Sequence, residues 1–120
     1  MKIGTDIIQI NRIEKLIKRY GIKFKLRYLS KKEIAMTDKI ESFAGLWAAK
    51  EAISKALGSG IGAELSFHDI IIAKDHKGAP YFKLAQEAQK VFQIESASLS
   101  ISHDGGFAIA VAVIEYQKII

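Results

Sequence analysis

The 120-residue chain contains no cysteine. That absence removes disulfide cross-links, thiolate metal sites and a thiol nucleophile together, and it suits a reducing compartment such as the cytoplasm. Proline occurs once, at Pro80, and no run of eighteen apolar residues exists, so no helical membrane span is expected. The opening MKIGTDIIQINRIEK holds too short an apolar run for a secretory leader, and Asp6 interrupts it. Repeats, low-complexity tracts and linker-like stretches are missing too, and the length fits one domain, residues 1–120.

What is present points to a packed core. Apolar residues make up 49% of the chain, and six Phe, four Tyr and one Trp argue against disorder. Charge is unevenly spread. Residues 1–39 carry eleven Lys/Arg against four acids, and residues 40–120 carry seven against nine, so a basic segment precedes a near-neutral body. Such a segment is either a solvated helix face or a surface for an acidic partner.

Periodicity divides the chain into strands and helices of an α+β fold, with antiparallel hairpins and helices packed on a sheet. IGTDIIQI reads as a strand, and Asn11 as the cap of a helix from Arg12 with Glu14 near its positive end, stopped by Gly21. IKFKLRYL fits either a strand or a short helix. Ser30 and Glu33 have capping-box spacing before another short helix. A long helix opens near Ser42 and runs through Leu57. ELSFHDIIIAKD reads as a strand, DHKGAP as a turn and PYFKL as its hairpin partner. AQEAQKVFQI reads as a helix, followed by two strands around HDGG, the last of them apolar on both faces and therefore central.

The long helix carries the chemistry. On a helical wheel Phe43, Leu46, Ile53 and Leu57 fall within about 80° of one another and define a core face. Glu51 and Lys55 lie on the far side, one turn apart, beside Ala44 and Ala48. They are either an ordinary i,i+4 surface pair or, because small residues leave room around them, a place where a ligand docks. The GSGIG that follows is not a Walker A loop. Its glycines either turn the backbone or let amides approach a phosphate. Asp6, a lone acid in an apolar strand, needs a helix cap, a lysine or a metal shared with Glu51. Two carboxylates with phosphate oxygens and water would suit Mg²⁺. No H-x-x-x-H exists, which argues against zinc; His76 falls in a turn, and His103 ends a strand, either bonding nearby groups or holding an anion.

Four blocks in order, IGTDIIQINRIEK, FAGLWAAKEAISKALGSGIG, LSFHDIIIAKDHKGAPYFKL and LSISHDGGFAIAVAVIE, resemble the holo-acyl-carrier-protein synthases, the small bacterial 4′-phosphopantetheinyl transferases. The resemblance spans nearly the whole chain. It implies that family's fold and transfer of the 4′-phosphopantetheine arm of coenzyme A to a serine of apo acyl carrier protein, with release of adenosine 3′,5′-bisphosphate, in support of fatty acid biosynthesis. It further implies a cation, Mg²⁺ with Mn²⁺ or Ca²⁺ as other occupants, on the carboxylates matching Asp6 and Glu51 and on the pyrophosphate. Lys55 matches the lysine that neutralises phosphate charge, His103 the histidine near the adenosine 3′-phosphate, and Gly58, Ser59, Gly60 and Ile61 the coenzyme-lining segment. The general base would be a water or hydroxide on the metal, or Glu33. Arg12, Arg19, Lys23 and Arg27 would meet the acidic carrier, with Phe24 adding an apolar contact.

The family's trimeric assembly, with sites shared between chains, is likewise implied. Two features depart from its pattern: Leu46 replaces a base common in relatives, and residues 31–42 are short and poor in basic residues near their end. The rival class, a basic nucleic-acid-binding module without catalysis, draws on the basic segment and on Tyr20, Phe24 and Tyr28, but no RNP-like motif or zinc finger supports it. Neither nucleic acid nor membrane is an expected partner.

Overall fold

The computed structural model describes residues 1–118. In chain order the elements are β1 (Lys2–Gln9), α1 (Ile10–Tyr20), α2 (Ile22–Tyr28), α3 (Lys31–Ile34), α4 (Ile40–Ala56), a 3₁₀ turn (Phe67–Asp69), β2 (Ile70–Lys74), β3 (Pro80–Leu84), α5 (Gln86–Phe92), β4 (Ile94–Asp104) and β5 (Phe107–Tyr116). The fold is α+β, as expected. A three-stranded sheet has the order β1-β5-β4, β2 and β3 form a separate hairpin, and all pairings are antiparallel. The doubly apolar β5 is the central strand. The hairpin joining β4 to β5 turns through Gly105 and Gly106, whose φ of 58° and 86° are what a two-residue primed turn requires.

Helix starts differ from the sequence expectation where tertiary contacts replace side-chain caps. α1 begins at Ile10 rather than Arg12, with Gln9 at the N-cap and no capping side chain, so Asn11 lies inside the first turn. The Ile10 amide instead donates to the Gly106 carbonyl at 2.9 Å. α4 begins at Ile40, two residues before Ser42. Residues 22–28 are helical because Phe24 and Tyr28, four apart, are both buried while Ile22 and Leu26 stay exposed. Phe24 stacks on Trp47 at 5.9 Å, and Tyr28 meets Trp47 edge-on at 5.1 Å. The predicted strand from residue 64 starts only at Ile70, because the Ser66 amide donates to Asp69 Oδ2 (2.9 Å) and the Asp69 amide to the Ser66 carbonyl (3.1 Å), closing a 3₁₀ turn.

α4 lies across the inner face of the three-stranded sheet. Pairing places Gly4, Asp6 and Ile8 of β1 on the same rows as Ala112, Ala110 and Ala108 of β5, and as Leu99, Ile101 and His103 of β4. Ala44, Ala48, Ala52 and Ala56, one helical turn apart, are fully or almost fully buried, as are Ala108, Ala110 and Ala112. Small residues on both surfaces bring helix and sheet backbones close. The stripe of alanines that looked in the sequence like room for a ligand is therefore the helix–sheet contact itself. The opposite sheet face is uncovered in the single chain, with Ile3, Ile7, Phe107 and Ile109 all exposed.

Candidate active site

Two backbone facts place the candidate residues. β1 runs along the sheet edge beneath the C-terminal half of α4, so close that a Cβ on Gly4 would collide with the Ala52 carbonyl oxygen and sit 2.5 Å from the Ala56 nitrogen. Asp6, two residues on and on the same face, thus emerges beside the last turns of α4. There the Lys55 Nζ donates to Asp6 Oδ1 at 2.9 Å and to the Thr5 carbonyl at 3.2 Å. Asp6 is mostly buried, its side chain 15% exposed, whereas Lys55 is half exposed. The lysine therefore meets the need of the buried carboxylate that its sequence setting posed.

Glu51 stands one turn before Lys55. Its carboxyl is pushed above the ordinary carboxylate range, first by partial burial and next by the Asp6 charge, with Lys55 pulling the other way. The fold thus brings Asp6, Glu51 and Lys55, up to 49 positions apart in sequence, into one electrostatic cluster. It holds two carboxylates and one ammonium, and the ammonium leaves Glu51 under-compensated. A divalent cation with oxygen ligands fits that imbalance, and with no group of three or more His, Cys, Asp or Glu side chains among the described residues, other ligand positions would fall to water or to a substrate.

The remaining candidates lie elsewhere. Gly58, Ser59, Gly60 and Ile61 follow α4 directly, with the Gly60 amide donating to the Ser54 carbonyl at 3.1 Å. His103 is exposed at the far end of β4. It borders a cavity of about 210 Å³ lined also by Thr37, Ser42, Leu46 and Lys74. Ser42 precedes Glu51 by nine positions and Leu46 precedes it by five, about 14 and 8 Å of helix rise, so this cavity lies along α4 on the N-terminal side of the carboxylates, and neither Asp6 nor Glu51 lines it. Arg12, Arg19, Lys23 and Arg27 are exposed on α1 and α2, and none is in an ion pair among the described residues.

Two expectations need correction. Phe24 is 5% exposed and locked against Trp47, so its ring supports the basic surface from beneath and offers no contact on it. Glu33 is unsuited to act as a base. It is buried, its Oε1 accepts from the Ser30 amide (2.8 Å) and Lys50 Nζ (2.8 Å), and its Oε2 accepts from the Ile72 amide (2.9 Å). Lys50 was not among the expected functional residues, although a lysine between Ala49 and Glu51 in an Ala-rich helix was the available signal.

This fold and this cluster define a class. The chain belongs to the 4′-phosphopantetheinyl transferase superfamily, whose family model matches residues 2–112. Within it the similarity is to holo-[acyl-carrier-protein] synthases, which are enzymes. One from a Sulfurovum species is 70% identical over 117 residues, 98% of each chain. Another, from a Nitratiruptor species, is 55% identical over 93% of this chain and 97% of its own. The crystal structure of the Helicobacter pylori holo-[acyl-carrier-protein] synthase in complex with coenzyme A superposes with a TM-score of 0.92 at 55% identity, covering 94% of this chain and 99% of that one. The family resemblance read from the four sequence blocks is therefore borne out.

Proposed function

We propose that the chain transfers the 4′-phosphopantetheine group of coenzyme A to a serine of an apo acyl carrier protein in the cytoplasm, in a Mg²⁺-dependent reaction that supports fatty acid biosynthesis. The observation that carries the reading is the Asp6–Glu51–Lys55 cluster in the fold of a coenzyme A-bound relative. The serine oxygen attacks the phosphorus on the pantetheine side of the pyrophosphate. A new P–O bond forms, the bond to the bridging oxygen breaks, adenosine 3′,5′-bisphosphate leaves, and the serine proton passes to water. Negative charge grows on the phosphoryl oxygens in the transition state, where preorganised positive charge counts most. Lys55, bonded to Asp6 and the Thr5 carbonyl and half exposed, would present its ammonium to those oxygens. Asp6 and Glu51 would hold the cation, which when bound supplies Lewis-acid stabilisation of the pyrophosphate.

The segment from Gly58 to Ile61 lines the coenzyme in this reading, and His103 meets its adenosine 3′-phosphate. The His103 cavity borders the N-terminal half of α4 and Glu51 stands in its C-terminal half, outside that cavity; in this reading the complete site takes the carboxylates from one chain and the His103 cavity from a neighbour in a homotrimer. The uncovered apolar face of the sheet supports that assembly. Arg12, Arg19, Lys23 and Arg27 orient the acidic carrier. Incubation with coenzyme A, Mg²⁺ and apo acyl carrier protein should add one phosphopantetheine to the carrier serine, read by mass spectrometry. An unmodified carrier would refute the reading.

A further inference from the structure

Among the described residues, the buried Glu33–Lys50 pair is the one charged group in the core, and the proposed reaction has no use for it. The two side chains are 2% and 0% exposed, and no buried side-chain polar atom among the described residues lacks a partner. Taking two charges out of water is expensive, and a well-packed apolar pair of similar volume often gives equal or greater stability. Stability alone therefore does not explain the pair. Its directional bonds achieve something an apolar pair lacks. Lys50 Nζ donates to the Phe67 carbonyl at 3.0 Å as well as to Glu33. Glu33 in turn takes the amides of Ser30 and Ile72. One side chain of α4 thus ties down the far end of the segment that leaves α4 at Gly58 and returns at Phe67.

That segment carries Gly58, Gly60 and Gly62, and its internal backbone bonds are few: Gly58 to the Lys55 carbonyl, Gly60 to the Ser54 carbonyl and Gly62 to the Leu65 carbonyl. Besides those bonds it is held by Leu65, which is fully buried next to its return end, and by the two ends themselves. The first end is α4 itself; the second is Phe67, whose carbonyl bonds Lys50 and whose ring packs on Trp47 at 4.9 Å. We propose that Glu33 and Lys50 are a positioning pair for coenzyme A: they hold the return end of the 58–66 segment in register with the helix that bears Glu51 and Lys55. The inference rests on the reading that this segment lines the coenzyme.

The test is direct titration of coenzyme A into the full-length protein, alongside steady-state transfer kinetics and amide hydrogen exchange. In Lys50→Met the dissociation constant and KM for coenzyme A should rise about tenfold or more, while kcat at saturating coenzyme falls less than about threefold, because Glu51 and Lys55 are untouched. Exchange at the Gly60 and Gly62 amides should quicken. Lys50→Arg, which keeps the charge and donors, should recover most of the lost affinity. A folded Lys50→Met that binds coenzyme A as wild type does overturns the inference. Where Lys50→Met does not fold because Glu33 is left unpaired, the neutral double variant Glu33→Gln/Lys50→Met decides by the same readouts. If the double variant also fails to fold, the pair holds the core rather than the segment and the inference falls. A wild-type protein that binds no coenzyme A would sink the proposed function instead, so the two failures are distinct.

Discussion

Glu51 is the side chain on which chemistry and stability pull apart. Its ionised form is disfavoured by partial burial and by Asp6, and Lys55 offsets only part of that. Replacing it with Gln removes the repulsion yet keeps the shape. Glu51→Gln is therefore expected to melt at or slightly above the wild-type temperature while losing about 10²–10³-fold in transfer rate, a divergence that calorimetry and the carrier-loading assay would read together. The sign of the pH dependence follows from the same shift. A carboxyl whose folded pKa is raised binds its proton in the native state before the unfolded chain does, so this group's contribution to stability falls as pH rises from the ordinary carboxylate value through the raised one. In the proposed site a cation on ionised Glu51 and Asp6 would reverse that penalty. Added Mg²⁺ should accordingly raise Tm more above this window than below it, and in Glu51→Gln the gain should shrink and lose that pH dependence. An equal Mg²⁺ gain for wild type and variant at every pH would remove Glu51 from the cation site.

At the scale of elements, the cluster exists because α4 and β1 approach so closely. Gly4 sits where any side chain would strike the α4 backbone at Ala52 and Ala56. Gly4→Ala should destabilise the protein by about 3 kcal/mol through overpacking, seen as a lower urea midpoint, and what remains folded should transfer poorly because Asp6 is displaced with its strand. A Gly4→Ala protein of wild-type midpoint would refute a backbone approach this close between β1 and α4. Most elements were legible from local pattern: the doubly apolar β5, the Ser30–Glu33 box and the Gly105–Gly106 turn each carry their own instruction. What pattern left hidden is what depends on partners distant in sequence. Alanine has no marked preference between a solvent face and a tight contact, so the stripe from Ala44 to Ala56 became interpretable only with Ala108, Ala110 and Ala112 opposite it. IKFKLRYL offered both periods until Trp47 and Phe67 selected the helical one. Asp6 and Glu51 were each visible as candidates, but their juxtaposition is a property of sheet register and helix placement.

The whole molecule has a face that a lone chain leaves wet. On the outer side of the sheet Ile3 and Ile7 of β1 stand in rows with Val113 and Ile109 of β5, and Ser98 and Ser102 of β4 continue those rows at the rim. Ile7 is 61% exposed and Ile109 41%, although β5 is the central strand. A contiguous apolar patch rimmed by hydroxyls is the pattern of an association surface. Association also resolves the separation of His103 from Glu51, since a closed ring of copies can present the His103 end of one chain to the carboxylate end of the next. The variant Ile109→Glu puts a charge at the centre of the patch while its inward neighbours Ala108 and Ala110 stay in the core. Light scattering should give about three chain masses for the wild type and one for the variant, with the circular dichroism spectrum retained. Transfer and coenzyme A binding should be lost with assembly, because each site would keep only half of its contacts. A monomeric variant that still loads the carrier at the wild-type rate would show that the site is complete within one chain, and His103 would then need another role.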